Sequence, residues 1–230
     1  ADLVIGADGL RSAVARHVQA PLTRRGLHYL SSIYGYLRSA DLAPDEYHFA
    51  YDGGLIGGAI PTNESTHCVF VSMSPSTFRS GAQLDVAAAL ERTLAKVSPS
   101  IATGARAGSI VGPLRSFPGH PGQFRTPHGD GWALVGDAGY FKDPVAAHGL
   151  SDAFRDAELL TEAVLANDLA GYERVRDGLS TPLFDQIENV TALGWDAAGA
   201  RNALVDFALA RAAESDALRE HRDAARAAVI

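Results

Sequence analysis

Residues 134–149 read LVGDAGYFKDPVAAHG. An apolar start of strand character runs into Gly136 and Asp137. An aromatic pair follows, then Lys142-Asp143-Pro144, then small residues up to Gly149. An acid at the end of a buried strand, followed by a proline and almost no side chains, implies that something sits close to that backbone. In open α/β sheets, ligands bind outside the carboxyl ends of the strands. A carboxylate placed there accepts hydrogen bonds from two hydroxyls of a ribose or ribitol. The plainer reading is that Asp137 caps the turn after it. Residues 2–6, DLVIG, form a second short apolar run, and Asp8-Gly9 follows it in the same way. For either acid alone capping is the commoner outcome; the pair shifts the balance towards a ligand.

Composition narrows the classes. The chain has 230 residues, 47% of them apolar, enough for one large domain or two small ones. A net charge of −7, with no Lys/Arg cluster, argues against a general nucleic-acid or anionic-membrane binder. Cys68 is the sole cysteine, so there is no disulfide framework and no cysteine metal site, and no metal is expected. A reducing, cytoplasmic setting follows from that usage. No apolar stretch reaches the length of a membrane span. The chain opens on ADLVIGADGL, without Met, so the lack of a targeting segment carries no information.

The expected class is α/β, with an α+β character. Segment 1–27 and segment 129–180 read as parts of one nucleotide-binding domain, with a β-rich segment, 28–128, between them. Segment 181–230 reads as helical. Ser12 is placed to cap a helix running to Val18. HYLSSIYGYL, YHFAYDGGLIGGAI and THCVFVSMS carry β-branched and aromatic residues separated by turn signals. Asp52-Gly53-Gly54 predicts a hairpin. Gly57 and Gly58 predict a bulge or a close ligand approach. Leu84, Ala87, Ala88, Leu90 and Leu94 predict a helix with one apolar side, and ARAGSIVGPLRSF a returning strand. From residue 149, Leu150, Ala153, Phe154, Ala157, Leu160 and Val164 sit at helical spacing. Pro182 predicts a kink or break in the helix after that.

Two stretches together carry a resemblance. ADLVIGADGLRSAVARHV (1–18) resembles the second fingerprint of the FAD-dependent aromatic hydroxylases, the group A flavoprotein monooxygenases with the p-hydroxybenzoate hydroxylase-like fold. GWALVGDAGYFKDPVAAHGLSDAFRDAELL (131–160) resembles their third. The resemblance implies a partial Rossmann-like FAD-binding domain, an inserted antiparallel substrate domain and C-terminal helices. It implies FAD as cofactor, NAD(P)H as electron donor and a small organic, possibly aromatic, substrate for hydroxylation. Asp8 and Gly9 match the family's Asp-Gly, and Arg16 lies near its usual arginine. Asp137, after Gly136, matches the acid that holds the ribitol. Pro144 matches the proline beside the reactive edge of the ring. Ala147, His148, Gly149 and Leu150 complete the loop and helix start. Tyr140, Asp143, Ala147 and Ser151 stand where many members carry His, Pro, Gly and Asn. That pattern looks like bacterial FAD-dependent oxidoreductases of the wider superfamily, which also holds flavin halogenases and geranylgeranyl-reductase-like enzymes.

The chemistry agrees with this. A flat isoalloxazine needs backbone free of bulky side chains beside it, and PVAAHG supplies that. Free N–H groups of a helix starting near Gly149 suit the negative charge of reduced flavin. His148, Lys142 and Pro144 are the candidates for contact with the reacting atoms. His148 reads equally as a loop histidine, and Lys142 as half of a solvated pair with Asp143. Tyr34, Tyr36, Phe49 and Tyr51 belong to the sheet expected to meet substrate. Cys68 reads as a small buried hydrophobe. The sequence has no G-x-G-x-x-G; GGLIGG at 53–58 lacks the spacing. The expectation is therefore a C-terminal portion of a larger flavoenzyme, inert alone, with Leu3-Val4-Ile5 left uncovered. Oligomeric state is open.

Overall fold

Residues 1–227 are described by the structure, a computed structural model. The chain begins with β1 (Val4–Gly6), a turn through Asp8-Gly9, then α1 (Ala13–His17) and β2 (Leu22–Arg25). Ser12 caps α1 as expected: its side chain accepts from Ala15 N at 2.8 Å. Next come β3 (Ser31–Arg38), β4 (His48–Asp52), β5 (Leu55–Pro61) and β6 (Thr66–Met73). The short α2 (Pro75–Thr77), then α3 (Val86–Val97) and α4 (Pro99–Ala107), lead to β7 (Ser109–Phe117). The last third holds β8 (Gln123–Arg125), β9 (His128–Gly129), β10 (Trp132–Leu134), β11 (Tyr140–Phe141), α5 (Gly149–Ala166), α6 (Leu169–Thr191) and α7 (Ala197–Ala227).

Two compact units divide these elements. One consists of Ala1–His28, Pro121–Ala192 and Ala197–Ile230; the other of Tyr29–His120 and Leu193–Asp196.

In the first unit β1 pairs in parallel with β10, register Val4 to Trp132 and Gly6 to Leu134, and β9 adds antiparallel to β10. A parallel pair requires a long crossover; here the stretch Tyr29–His120 of the second unit lies within it. β11, β8 and β2 form a separate antiparallel sheet. Ala133, Val135, Leu159, Leu160, Ala163 and Tyr172 pack one core cluster, and the Tyr172 hydroxyl donates to Leu134 O at 2.8 Å. Phe124, Tyr140 and Phe184 pack another. β1 is paired on one side only among the described residues, and Val4 and Ile5 are 48% and 51% exposed. The GWALVGDA strand is shorter than expected. It stops at Leu134, and Gly136–Ala138 form a 3-10 turn.

The second unit is a five-stranded sheet in the order β4-β5-β6-β3-β7, all antiparallel. Its hairpin turn has φ of +53° at Gly53 and +79° at Gly54, the backbone that glycine adopts without strain. Ile33, Val69 and Val71 on the sheet and Ala89, Leu90 and Leu94 on α3 form the core. Three expectations are corrected here. Leu84 is exposed and precedes α3, which Asp85 caps through Ala88 N. Residues 105–107 do not enter the strand: Ser98 caps α4, Pro99 opens it, and the helix ends at Ala107. Gly57 and Gly58 keep regular register without a bulge; the groups that close on them are Val97 and Leu94 at Gly57, and the His48 carbonyl and the Phe70 ring at Gly58.

Helices bring two further corrections. α6 continues through Pro182, so the expected break is absent, and the 180/181 boundary falls inside one helix. On α5 the spacing misled: Leu150 and Phe154 are 78% and 75% exposed, and Val164 is also exposed. The buried face instead holds Asp152, Arg155, Asp156, Leu159, Leu160 and Ala163. No described helix is long and apolar enough to cross a membrane.

Candidate functional site

The parallel register of β1 and β10 puts the ends of two adjacent strands side by side, with Val135 N bonded to Gly6 O at 3.0 Å. Asp8 follows one end and Asp137 the other. The two acids have different surroundings. Asp8 is exposed, and its Oδ2 accepts from Ala13 N at 2.6 Å and Val14 N at 3.2 Å. The Ser12 hydroxyl and these amides hold its carboxyl below the ordinary range. In this structure Asp8 therefore acts as a helix cap. Gly9 turns the chain at φ +77°, and the exposed Arg16 donates to Ser12 O at 3.2 Å.

Asp137 is half-buried in the 3-10 turn after β10 and makes no hydrogen bond among the described residues. Burial, reinforced by Asp152, raises its pKa, while Lys142 opposes the shift. Gly136 supports the turn from behind. It has φ +56°, and a Cβ there would stand 3.1 Å from that of Ala153 on α5. Its N–H donates to Asp156 Oδ2 at 3.1 Å. Gly149 opens α5 beside the acid: a Cβ on it would lie 3.8 Å from Asp137 Oδ1. A free carboxylate and the first turn of an 18-residue helix thus face one another.

Between them runs the loop. Asp143 caps the turn Pro144–Ala146 through Val145 N at 2.9 Å. Ala147 is left-handed, at φ +51°. Pro144, Ala147, Gly149 and Leu150 are exposed, and His148 is mostly covered.

Lys142 is not the solvated partner of Asp143 that the sequence suggested. Its side chain is 2% exposed and bonded to Asp152 on α5. The reason is the turn of α5, which brings a carboxylate back over β11. Burial lowers the Lys142 pKa, with Asp152 opposing. For Asp152, burial alone would raise the carboxyl; the His148 ring, Lys142 and Arg155 outweigh it and hold the group below the usual range. Arg155 binds Asp156 at 2.7 Å and Glu214 of α7. Burial raises the Asp156 pKa despite Arg155 and Arg176. His148 Nδ1 lies 3.8 Å from Asp152 Oδ1 and 3.9 Å from Glu214 Oε2.

Sequence reasoning missed Asp152, Arg155, Asp156 and Glu214. For the first three a signal existed: an Asp, Arg, Asp set at i, i+3, i+4 lies on one helix face. For Glu214 there was none, since it comes from a separate helix.

In fold the chain matches flavin-dependent halogenases and FAD-dependent monooxygenases. The flavin-dependent brominase Bmp2 superposes with a TM-score of 0.69 at 20% identity, over 84% of this chain and 52% of that one. The flavin-dependent halogenase CmlS gives 0.69 at 17%, over 88% and 39%. PqsL, a probable FAD-dependent monooxygenase from Pseudomonas aeruginosa, gives 0.67 at 20%, over 88% and 59%. A complex of PqsL with 2-aminobenzoylacetate gives 0.64 at 19%, over 88% and 58%. The chain thus spans between two-fifths and three-fifths of the length of these proteins. No protein-family model and no curated protein matches the sequence.

Proposed function

We propose that the chain is part of an FAD-dependent oxidoreductase, an NAD(P)H-dependent monooxygenase acting on a small organic substrate. The observation that carries this reading is Asp137. It is a half-buried carboxylate without a hydrogen bond, set beside the first turn of α5 at the carboxyl end of a parallel strand pair. Ribityl hydroxyls supply the donors that such an acid lacks. The open N–H groups at Gly149 and Leu150 suit the electron-rich side of the flavin ring. The backbone from Pro144 to Ala147 offers little side-chain bulk against a flat ring. Asp8, Gly9 and Arg16 belong to the same end, with Asp8 fixing α1. These residues therefore fit the group.

A bound FAD supplies redox chemistry, accepting reducing equivalents from NAD(P)H and delivering them to oxygen or substrate. The chain's own part is to orient the ring, place the helix end and keep water off the loop side. The brominase and halogenase matches support halogenation as the second reading.

The test uses the full-length protein that contains this chain. It should purify yellow, or turn yellow when FAD is added and the excess removed. NADH or NADPH should then drive oxygen uptake. Product analysis with and without bromide or chloride separates hydroxylation from halogenation. A protein that stays colourless with excess FAD would end both readings.

A further inference from the structure

We propose that His148 Nδ1, Asp152 Oδ1 and Glu214 Oε2 form a site for one divalent first-row metal ion, between the start of α5 and the middle of α7. All three atoms are buried, and none has a hydrogen-bond partner. They lie within 4.8 Å of one another, two of the separations being 3.8 and 3.9 Å. Asp152 and Glu214 are 3% and 8% exposed. Orphaned buried polar atoms are costly, so three converging on one point indicate something that satisfies all of them.

Two carboxylate oxygens and one imidazole nitrogen form a donor set that suits a cation. Lys142 and Arg155 hold the far side of this group, contacting Asp152, Asp156 and Glu214. The ring cannot satisfy both carboxylates by itself. At 3.8 and 3.9 Å neither carboxylate is within hydrogen-bond range of Nδ1. One N–H also satisfies only one of the two oxygens. An ion at about 2.1 Å from each ligand places ligand atoms about 3–4 Å apart. Closing the triad needs side-chain shifts of about an ångström or less.

The carboxylates are already oriented for this. Lys142 occupies the other oxygen of Asp152, and Arg155 the other oxygen of Glu214. Arg155 Nη1 also stands 3.2 Å from Asp152 Oδ1, in ion-pair contact. Such outer contacts fix ligand direction. They also repel an incoming dication, so affinity should fall below that of a four-ligand structural site. One imidazole and two carboxylates suit zinc or manganese, and three protein ligands leave a position for water.

The site shares His148 with the loop of the flavin reading, but its test uses no flavin. The full-length protein is stripped with a chelator and titrated with zinc chloride by calorimetry, and with manganese by loss of the free-ion EPR signal. One ion per chain is expected. His148→Ala and Glu214→Gln should each weaken it by at least about 10-fold. Glu158→Gln, on the same helix pair but engaged with Arg222, should not. His148 is partly exposed, so its variant decides the matter if Glu214→Gln fails to fold. No binding of either metal at about 1 mM overturns the proposal, as does binding that His148→Ala leaves unchanged. A crystal soaked in zinc that shows only a water at this point overturns it too.

Discussion

At the scale of the residue, Asp137 carries the functional reading, so its substitution is the sharpest probe. Asn keeps the size and loses the charge that strengthens hydrogen bonds from hydroxyls. Asp137→Asn should weaken FAD binding by about 1–3 kcal/mol, roughly 5- to 150-fold in Kd, with little change in fold. Unchanged retention of FAD would reduce Asp137 to a turn residue. The sign with pH follows from burial, which raises this carboxyl. The folded protein takes up the proton at a higher pH than the unfolded chain, so the acid's burden on apo stability is relieved as pH falls. FAD affinity should move the other way, declining on acidification before an ordinary aspartate would titrate. The Asn variant should lack that part of the pH profile. Ala147 offers a second probe. Its left-handed backbone costs roughly 1 kcal/mol, so Ala147→Gly should be neutral or stabilising in urea unfolding. These positions were legible in the sequence because each answers to a local rule, an acid after a strand or small residues before a helix. The partner of Lys142 was not. It lies ten residues on, and only the path of the loop makes the two meet.

At the scale of the element, α5 shows where periodicity stops being informative. A stripe of apolar residues shows that a helix has faces, not which neighbour covers each. Leu150 and Phe154 face out, while a charged row faces α7. Arg155 holds that row together through Asp152, Asp156 and Glu214. Arg155→Met would leave three buried carboxylates with one cation fewer. It should cost about 3–5 kcal/mol, read as a lower urea midpoint. A loss under about 1 kcal/mol would show the network to be solvated and dispensable. Helix α6 supports a prediction of opposite sign. Pro182 is exposed within a continuous helix and leaves the carbonyl of Gly178 without its amide. Pro182→Ala restores that bond without disturbing the core and should raise stability by about 1–3 kcal/mol. The sequence rule correctly identified a helix breaker; packing of Leu183, Phe184 and Ile187 on the same helix overrode it.

At the scale of the molecule, the β-rich character of the middle segment was plain from its strands and turns. The pairing that closes around it was not, because the partnered positions Val4 and Trp132 are 128 positions apart in the chain. The division into units has a consequence for folding. Every buried member of the second unit's core lies between Ile33 and Ala102, within the continuous stretch Tyr29–His120. The stretch of chain it takes from beyond is Leu193–Asp196, held in part by the Tyr51 hydroxyl donating to Trp195 O at 3.2 Å and by the Trp195 ring tilted against that of Tyr51. A fragment Tyr29–His120 should therefore fold alone, with a cooperative urea transition and dispersed amide signals. In the first unit, Gly26 N bonds Gly122 O at 2.7 Å, so the two ends left by removing that fragment lie close together. Joining His28 to Pro121 through a few glycines should leave the helical signature of α5, α6 and α7 intact. A fragment Tyr29–His120 that stays unfolded while the whole chain is folded would mean that its strands depend on the rest of the molecule.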